Sequence, residues 1–123
     1  MPKLLLAEDE RSLNKAMRLF LQTFEGLYVE SVFDGVEAMA AIEKDPPDLI
    51  VLDVNMPHKN GYEVADEILA NDNLKDVKIL FLTNLCANFA RKDLIKHKNI
   101  TLVCKAETSM VDVRKLISKL LNI

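Results

Sequence analysis

Leu49–Pro57 reads LIVLDVNMP: four branched apolar residues run straight into an aspartate, and a proline stands four positions beyond it. A short, continuous apolar run fits a strand covered on both faces, as in a parallel sheet. Its last residue is then the puzzle, because a carboxylate is costly to bury without a partner.

Working outward, similar runs recur at nearly even intervals: KLLLA (3–7), YVESV (28–32), VKILFLT (77–83) and ITLVCK (100–105), with LIVLD (49–53) in the middle. YVESV is the most polar and belongs at a sheet edge. The intervening segments read as helices. Leu13, Met17, Phe20, Leu21 and Phe24 form one helical face, with Ser12 as N-cap and Gly26 as the stop. Residues 35–44 are Ala-rich and halt at Asp45-Pro46-Pro47. Asn60 caps a third helix bearing Val64, Ile68 and Leu69. Thr108 or Ser109 caps a last one bearing Val113, Leu116, Ile117 and Leu120. Segment 86–97 offers only the thin stripe Cys86, Phe89 and Leu94 for the remaining helix.

Strand and helix thus alternate five times. The expected fold is α/β and doubly wound, a five-stranded parallel sheet flanked by five helices in one domain, 1–123. Half of the residues are apolar, enough for a core at 123 residues. The formal net charge of -3 gives no reason to expect nucleic-acid or membrane binding. Cys86 and Cys104 match neither a metal spacing nor a disulfide framework. They read as free thiols in a reducing, cytosolic compartment. No signal peptide or membrane-length apolar run is present.

In such sheets ligands bind beyond the carboxyl ends of the strands. The first strand ends in Glu8-Asp9-Glu10, the third in Asp53, the fourth in Thr83 and the fifth in Lys105. Taken singly these are ordinary: a solvated turn, a cap, a strand hydroxyl, a solvated lysine. Their coincidence at four strand ends is what is specific. Two carboxylates about 4 Å apart repel by roughly 4 kcal/mol at an effective dielectric near 20, so a cation is called for. An all-oxygen site with few protein ligands suits Mg²⁺, with Mn²⁺ as the alternative. Acids, a hydroxyl and an amine around such an ion suit phosphoryl oxygens, and Asp53 is the candidate nucleophile.

LLLAEDE at the start, LIVLDVNMPHKNGYE in the middle, FLTN and VCKA carry a resemblance to the receiver domains of bacterial two-component response regulators, over the whole chain. The resemblance implies a flavodoxin-like sheet of order 2-1-3-4-5. It implies Asp53 as phosphoacceptor, and Asp9, Asp53 and the Asn55 backbone carbonyl as metal ligands, with Glu8 acting through water. Lys105 and Thr83 would contact the phosphoryl group, and Pro57 and Gly61 would shape the neighbouring loop. Glu10 would lie outside the metal shell. The implied partners are a sensor histidine kinase or phosphotransfer protein and a downstream effector, in the cytoplasm. The chain would be no enzyme, but a phosphoacceptor that assists its own phosphorylation and dephosphorylation. No effector domain is evident; a stand-alone receiver and the first part of a longer regulator both fit.

Three positions depart from the family pattern. Lys105 is followed by Ala106, not the proline that often brings a cis peptide in the family. A non-proline cis bond costs about 2.5–4 kcal/mol, and the sequence leaves cis or trans, and with it the exact position of Lys105, open. Asn84 replaces the usual small residue after the switch threonine, and Leu102 replaces a frequent aromatic. These changes favour one competing reading, a pseudo-receiver that binds proteins without turning over phosphate. Another is a Mg²⁺-dependent phosphohydrolase of the haloacid-dehalogenase type. Against it, Asn55 stands where that family has a second Asp, and the chain leaves little room for a cap domain.

Overall fold

A computed structural model of the chain describes all residues, Met1–Ile123. Five strands, β1 (Lys3–Ala7), β2 (Tyr28–Val32), β3 (Leu49–Leu52), β4 (Lys78–Thr83) and β5 (Ile100–Cys104), form one parallel sheet of order β2-β1-β3-β4-β5. Between and after them lie α1 (Arg11–Gln22), α2 (Gly35–Lys44), α3 (Gly61–Ala70) and α4 (Met110–Leu121).

Strand alternation sorts the core into two layers. Leu5, Ala7, Ile50, Leu52, Ile79 and Phe81 face α2 and α3, joining Ile42, Val64 and Ile68. Leu4, Leu6, Leu49, Val51, Leu80 and Leu82 face the other way, against Met17 and Leu21 of α1 and Val113 and Ile117 of α4. Both faces of the central strands are therefore apolar, which is why their runs are continuous. YVESV lies at the edge, and Tyr28 is exposed.

Four α-helices form, not five. The segment between β4 and β5 holds only two 3₁₀ turns, Cys86–Asn88 and Leu94–Lys96, neither capped by a side chain. Phe89 and Leu94 are buried from this segment, too few anchors for a helical stripe. Two caps match the sequence expectation: Asn60 forms a full capping box with Glu63, and Ser109 caps α4. The expected span 35–44 of α2 also holds, and its N-cap is Asp34. Ser12 does not cap α1. Glu10 does, its carboxylate accepting from the Ser12 and Leu13 amides at 3.1 and 2.9 Å. That helix stops at Gln22, with Thr23 as C-cap, before Gly26 takes its positive φ of 82° in the following turn.

The cysteines are not free. Cys86 and Cys104 form a disulfide with Cα atoms 5.7 Å apart. No sequence motif announces it: the partners lie 18 residues apart and meet only because the β4–β5 connection folds back on the end of β5. No helix is long and apolar enough to cross a membrane.

Candidate functional site

The register of the central strands builds the site. Ala7 of β1 pairs with Leu52 of β3, so the next residues, Glu8 and Asp53, leave the sheet side by side. Asp53 stands just beyond β3 and donates its amide to the Ala7 carbonyl at 3.1 Å. Glu8 donates its own amide to Val32 at 3.2 Å. Carboxylate oxygens of Glu8, Asp9 and Asp53 all lie within 4.8 Å of one another. Between β1 and β3 the strand order reverses, the usual place for a ligand site in an open α/β sheet.

Lys105 closes the cluster. Located just beyond β5, it donates from Nζ to Glu8 Oε1 and, at 3.0 Å, to Asp53 Oδ2. All peptide bonds are trans, that between Lys105 and Ala106 included, and the ammonium still spans the rim. Burial works against charging Lys105, but its bonds to Glu8 and Asp53 outweigh that and its pKa is raised. Glu8 is also raised, first by burial and further by the Asp53 charge, while Lys105 and the Glu10 amide pull the other way. A 2 % exposed carboxylate is thus kept beside a cation it shares with Asp53.

The remaining groups differ in how close they come. Asp53 Oδ1 accepts from the Val54 amide at 2.7 Å, which orients the carboxylate. Asn55 is exposed in the following loop, and its carbonyl accepts no protein hydrogen bond. Gly61 must be glycine: a Cβ there would collide with the Asp53 carbonyl oxygen. Thr83 is 1 % exposed, and its hydroxyl accepts from the Leu85 amide at 3.2 Å while donating to no protein group. Asn84 is exposed and, with Lys105, Leu13, Met17 and Met110, lines a cavity of about 330 Å³ between α1 and α4. Leu102 is not at the acidic rim. It pairs with Phe81 and packs on the α2–α3 core layer.

Two supporting features were not read from the sequence. Asn14, 1 % exposed, donates from Nδ2 to the Glu8 and Val32 carbonyls, both at 2.9 Å, tying α1 to the ends of β1 and β2. The signal was present: Asn14 falls on the same helical face as Met17 and Leu21, a polar residue in an apolar stripe. The other is an aromatic cluster of Tyr62, Phe81 and Phe89, whose ring centroids lie 5.1–6.3 Å apart. It links α3, β4 and the β4–β5 connection.

An all-oxygen set of three clustered carboxylates, Asp9 the most exposed of them, matches the donor chemistry of a hard divalent cation that keeps several waters.

The sequence matches the model of the response regulator receiver domain over residues 4–118. It is 40% identical over 81 residues to the response regulator MprA of Mycobacterium tuberculosis, an alignment covering 66% of this chain and 34% of that protein. The chain therefore spans about a third of the length of these curated relatives. Among solved structures, the Vibrio cholerae chemotaxis protein CheY4 superposes with a TM-score of 0.83 at 28% identity, covering 98% of both chains. The Thermotoga maritima response regulator TrrA, in complex with Mg²⁺-BeF, superposes with a TM-score of 0.80 at 26% identity, covering 98% of this chain and 99% of that one.

Proposed function

The chain belongs to the response regulator receiver domain family, and from that premise we propose that Asp53 accepts a phosphoryl group from a phosphohistidine on a partner kinase or phosphotransfer protein. One observation carries the reading: the carboxylates of Glu8, Asp9 and Asp53 and the Lys105 ammonium converge at the carboxyl ends of β1, β3 and β5.

In the transfer, a carboxylate oxygen of Asp53 forms a bond to phosphorus as the phosphorus–nitrogen bond to the donor imidazole breaks, leaving an acyl phosphate. The Val54 amide fixes one face of the carboxylate. Lys105, kept protonated by its two acidic neighbours, offers positive charge where phosphoryl oxygens arrive. The uncommitted proton of the Thr83 hydroxyl is available to a phosphoryl oxygen while its oxygen accepts from the Leu85 amide. Asp9, Asp53 and the Asn55 carbonyl would hold a Mg²⁺ ion, with Glu8 through water. Bound there, the ion neutralises charge on the transferring group. The chain acts as an acceptor, not as an enzyme in turnover. Its signal passes to an effector protein or domain, in the cytoplasm where such kinases present their phosphohistidine, with no nucleic-acid contact of its own.

Incubation with a phosphorylated histidine kinase domain and Mg²⁺ should place one acid-labile phosphate on the chain. Asp53→Asn should remove it, and EDTA should suppress it in the wild type. Acid-labile phosphate surviving in Asp53→Asn would overturn the assignment.

A further inference from the structure

We propose that Cys86 and Cys104 form a reversible dithiol–disulfide site, which sets whether the loop after β4 can respond to events at Asp53. The inference rests on the phosphoacceptor reading above.

Position is the first support. Cys104 pairs in register with Thr83, and Lys105 follows it directly. Cys86 lies three residues beyond Thr83, in the turn whose Leu85 amide holds the Thr83 hydroxyl. The cross-link therefore brackets two groups assigned to the phosphoryl site and ties the Thr83 loop to β5. Because the Leu85 amide donates to the Thr83 hydroxyl, a hydroxyl drawn toward a phosphoryl oxygen carries Leu85 and its neighbour Cys86 with it. Oxidised, Cys86 cannot leave Cys104, because a disulfide confines the Cα pair to roughly 4.4–6.8 Å.

Accessibility is the second. Both cysteines are only half-buried, and β5 is an edge strand, so a thiol can approach. The third is compartment. A chain phosphorylated in a reducing cytosol does not keep a permanent staple, and disulfides found there are mostly transient and redox-sensing. The 5.7 Å Cα separation is ordinary for a bridge. With the strand partner Thr83 holding Cys104 in place, the two thiols stay near enough to close again.

The reductant is a small or protein dithiol. Its thiolate attacks one sulfur of the bridge and forms a mixed disulfide, and its second thiol then displaces that cysteine. Two electrons pass to the pair, each cysteine takes up a proton, and the dithiol leaves as its own disulfide. A low-molecular-weight disulfide drives the reverse exchange.

The test uses the full chain in three forms: oxidised with glutathione disulfide, reduced with dithiothreitol, and the Cys86→Ser/Cys104→Ser double variant. Thiol counting establishes the redox state. Amide exchange is then followed with and without Mg²⁺ and beryllofluoride. In the reduced and double-variant forms, exchange at residues 84–90 should change about tenfold on beryllofluoride addition, and in the oxidised form about twofold or less. If the double variant fails to fold, the reduced wild type carries the comparison. Two free thiols remaining after glutathione disulfide treatment would overturn the proposal. So would an equal response at 84–90 in oxidised and reduced forms while residues 53–57 still respond. Absence of any response at 53–57 in every form would instead remove the phosphoacceptor reading, and this inference with it.

Discussion

The chain crosses from β3 to β4 through α3, and from β4 to β5 through a run that contains no α-helix. The first crossover is specified locally. Asn60 and Glu63 exchange hydrogen bonds in a capping box, and Val64, Ala65 and Ile68 fall on one buried face. The second is held from outside: Phe89 sits in the aromatic cluster, the Ala90 amide donates to the Tyr62 hydroxyl, Arg91 pairs with Asp66 and Asp93, and Cys86 is bridged to Cys104. Apart from the local Arg91–Asp93 pair, each of these anchors joins the segment to another part of the molecule through at least one side chain. A segment whose order depends on a few removable anchors can change state without unfolding the sheet. That is a useful property directly after Thr83.

The largest expected effect tests whether the second crossover is truly anchored. Phe89 is 3 % exposed and touches rings from α3 and β4. Phe89→Ala should lower unfolding stability by about 3–5 kcal/mol, as for a buried ring elsewhere. Urea denaturation read by circular dichroism measures it. A loss below about 1 kcal/mol, with fast amide exchange confined to 84–99, would show that the crossover melts separately and that Phe89 supports only itself.

The contrast between the crossovers also explains what the sequence disclosed. Strand boundaries were legible to within a residue, because burial on both faces demands unbroken apolar runs such as Leu49–Leu52. Glu8, Asp9, Asp53 and Lys105 could be placed because the topology sends all strand ends to one rim. The fifth helix was misjudged, since alternation of strand and helix implied it while the residues of 86–97 did not. The disulfide was invisible because it depends on how that helix-free segment folds, and loop conformation leaves little periodic trace. Glu10 displaced Ser12 as cap because its carboxylate reaches two amides of the first turn.

A middle-sized effect sharpens the comparison with one residue type in two settings. Asn60 caps α3, so Asn60→Ala should cost about 1 kcal/mol. Asn88 ends an uncapped 3₁₀ turn in the second crossover and is exposed. Asn88→Ala should change stability by less than about 0.5 kcal/mol. Parallel urea titrations of both variants check this. Equal losses would mean that the second crossover also depends on local side-chain caps.

The smallest effect isolates a single bond between the two crossovers. Tyr62 belongs to α3, and its hydroxyl accepts from the Ala90 amide at 2.9 Å. Tyr62→Phe keeps the ring in place between Phe81 and Phe89 and removes only the oxygen. Ala90 is exposed, so water can replace the lost acceptor, and the global loss should be about 0.5 kcal/mol, the low end for a hydrogen bond. The local effect should be easier to see, as faster exchange of the Ala90 amide while amides within α3 stay unchanged. If the α3 amides accelerate equally, the two crossovers open together. The second would then be no more mobile than the first, and the loop after Thr83 could not act as an independent responding element.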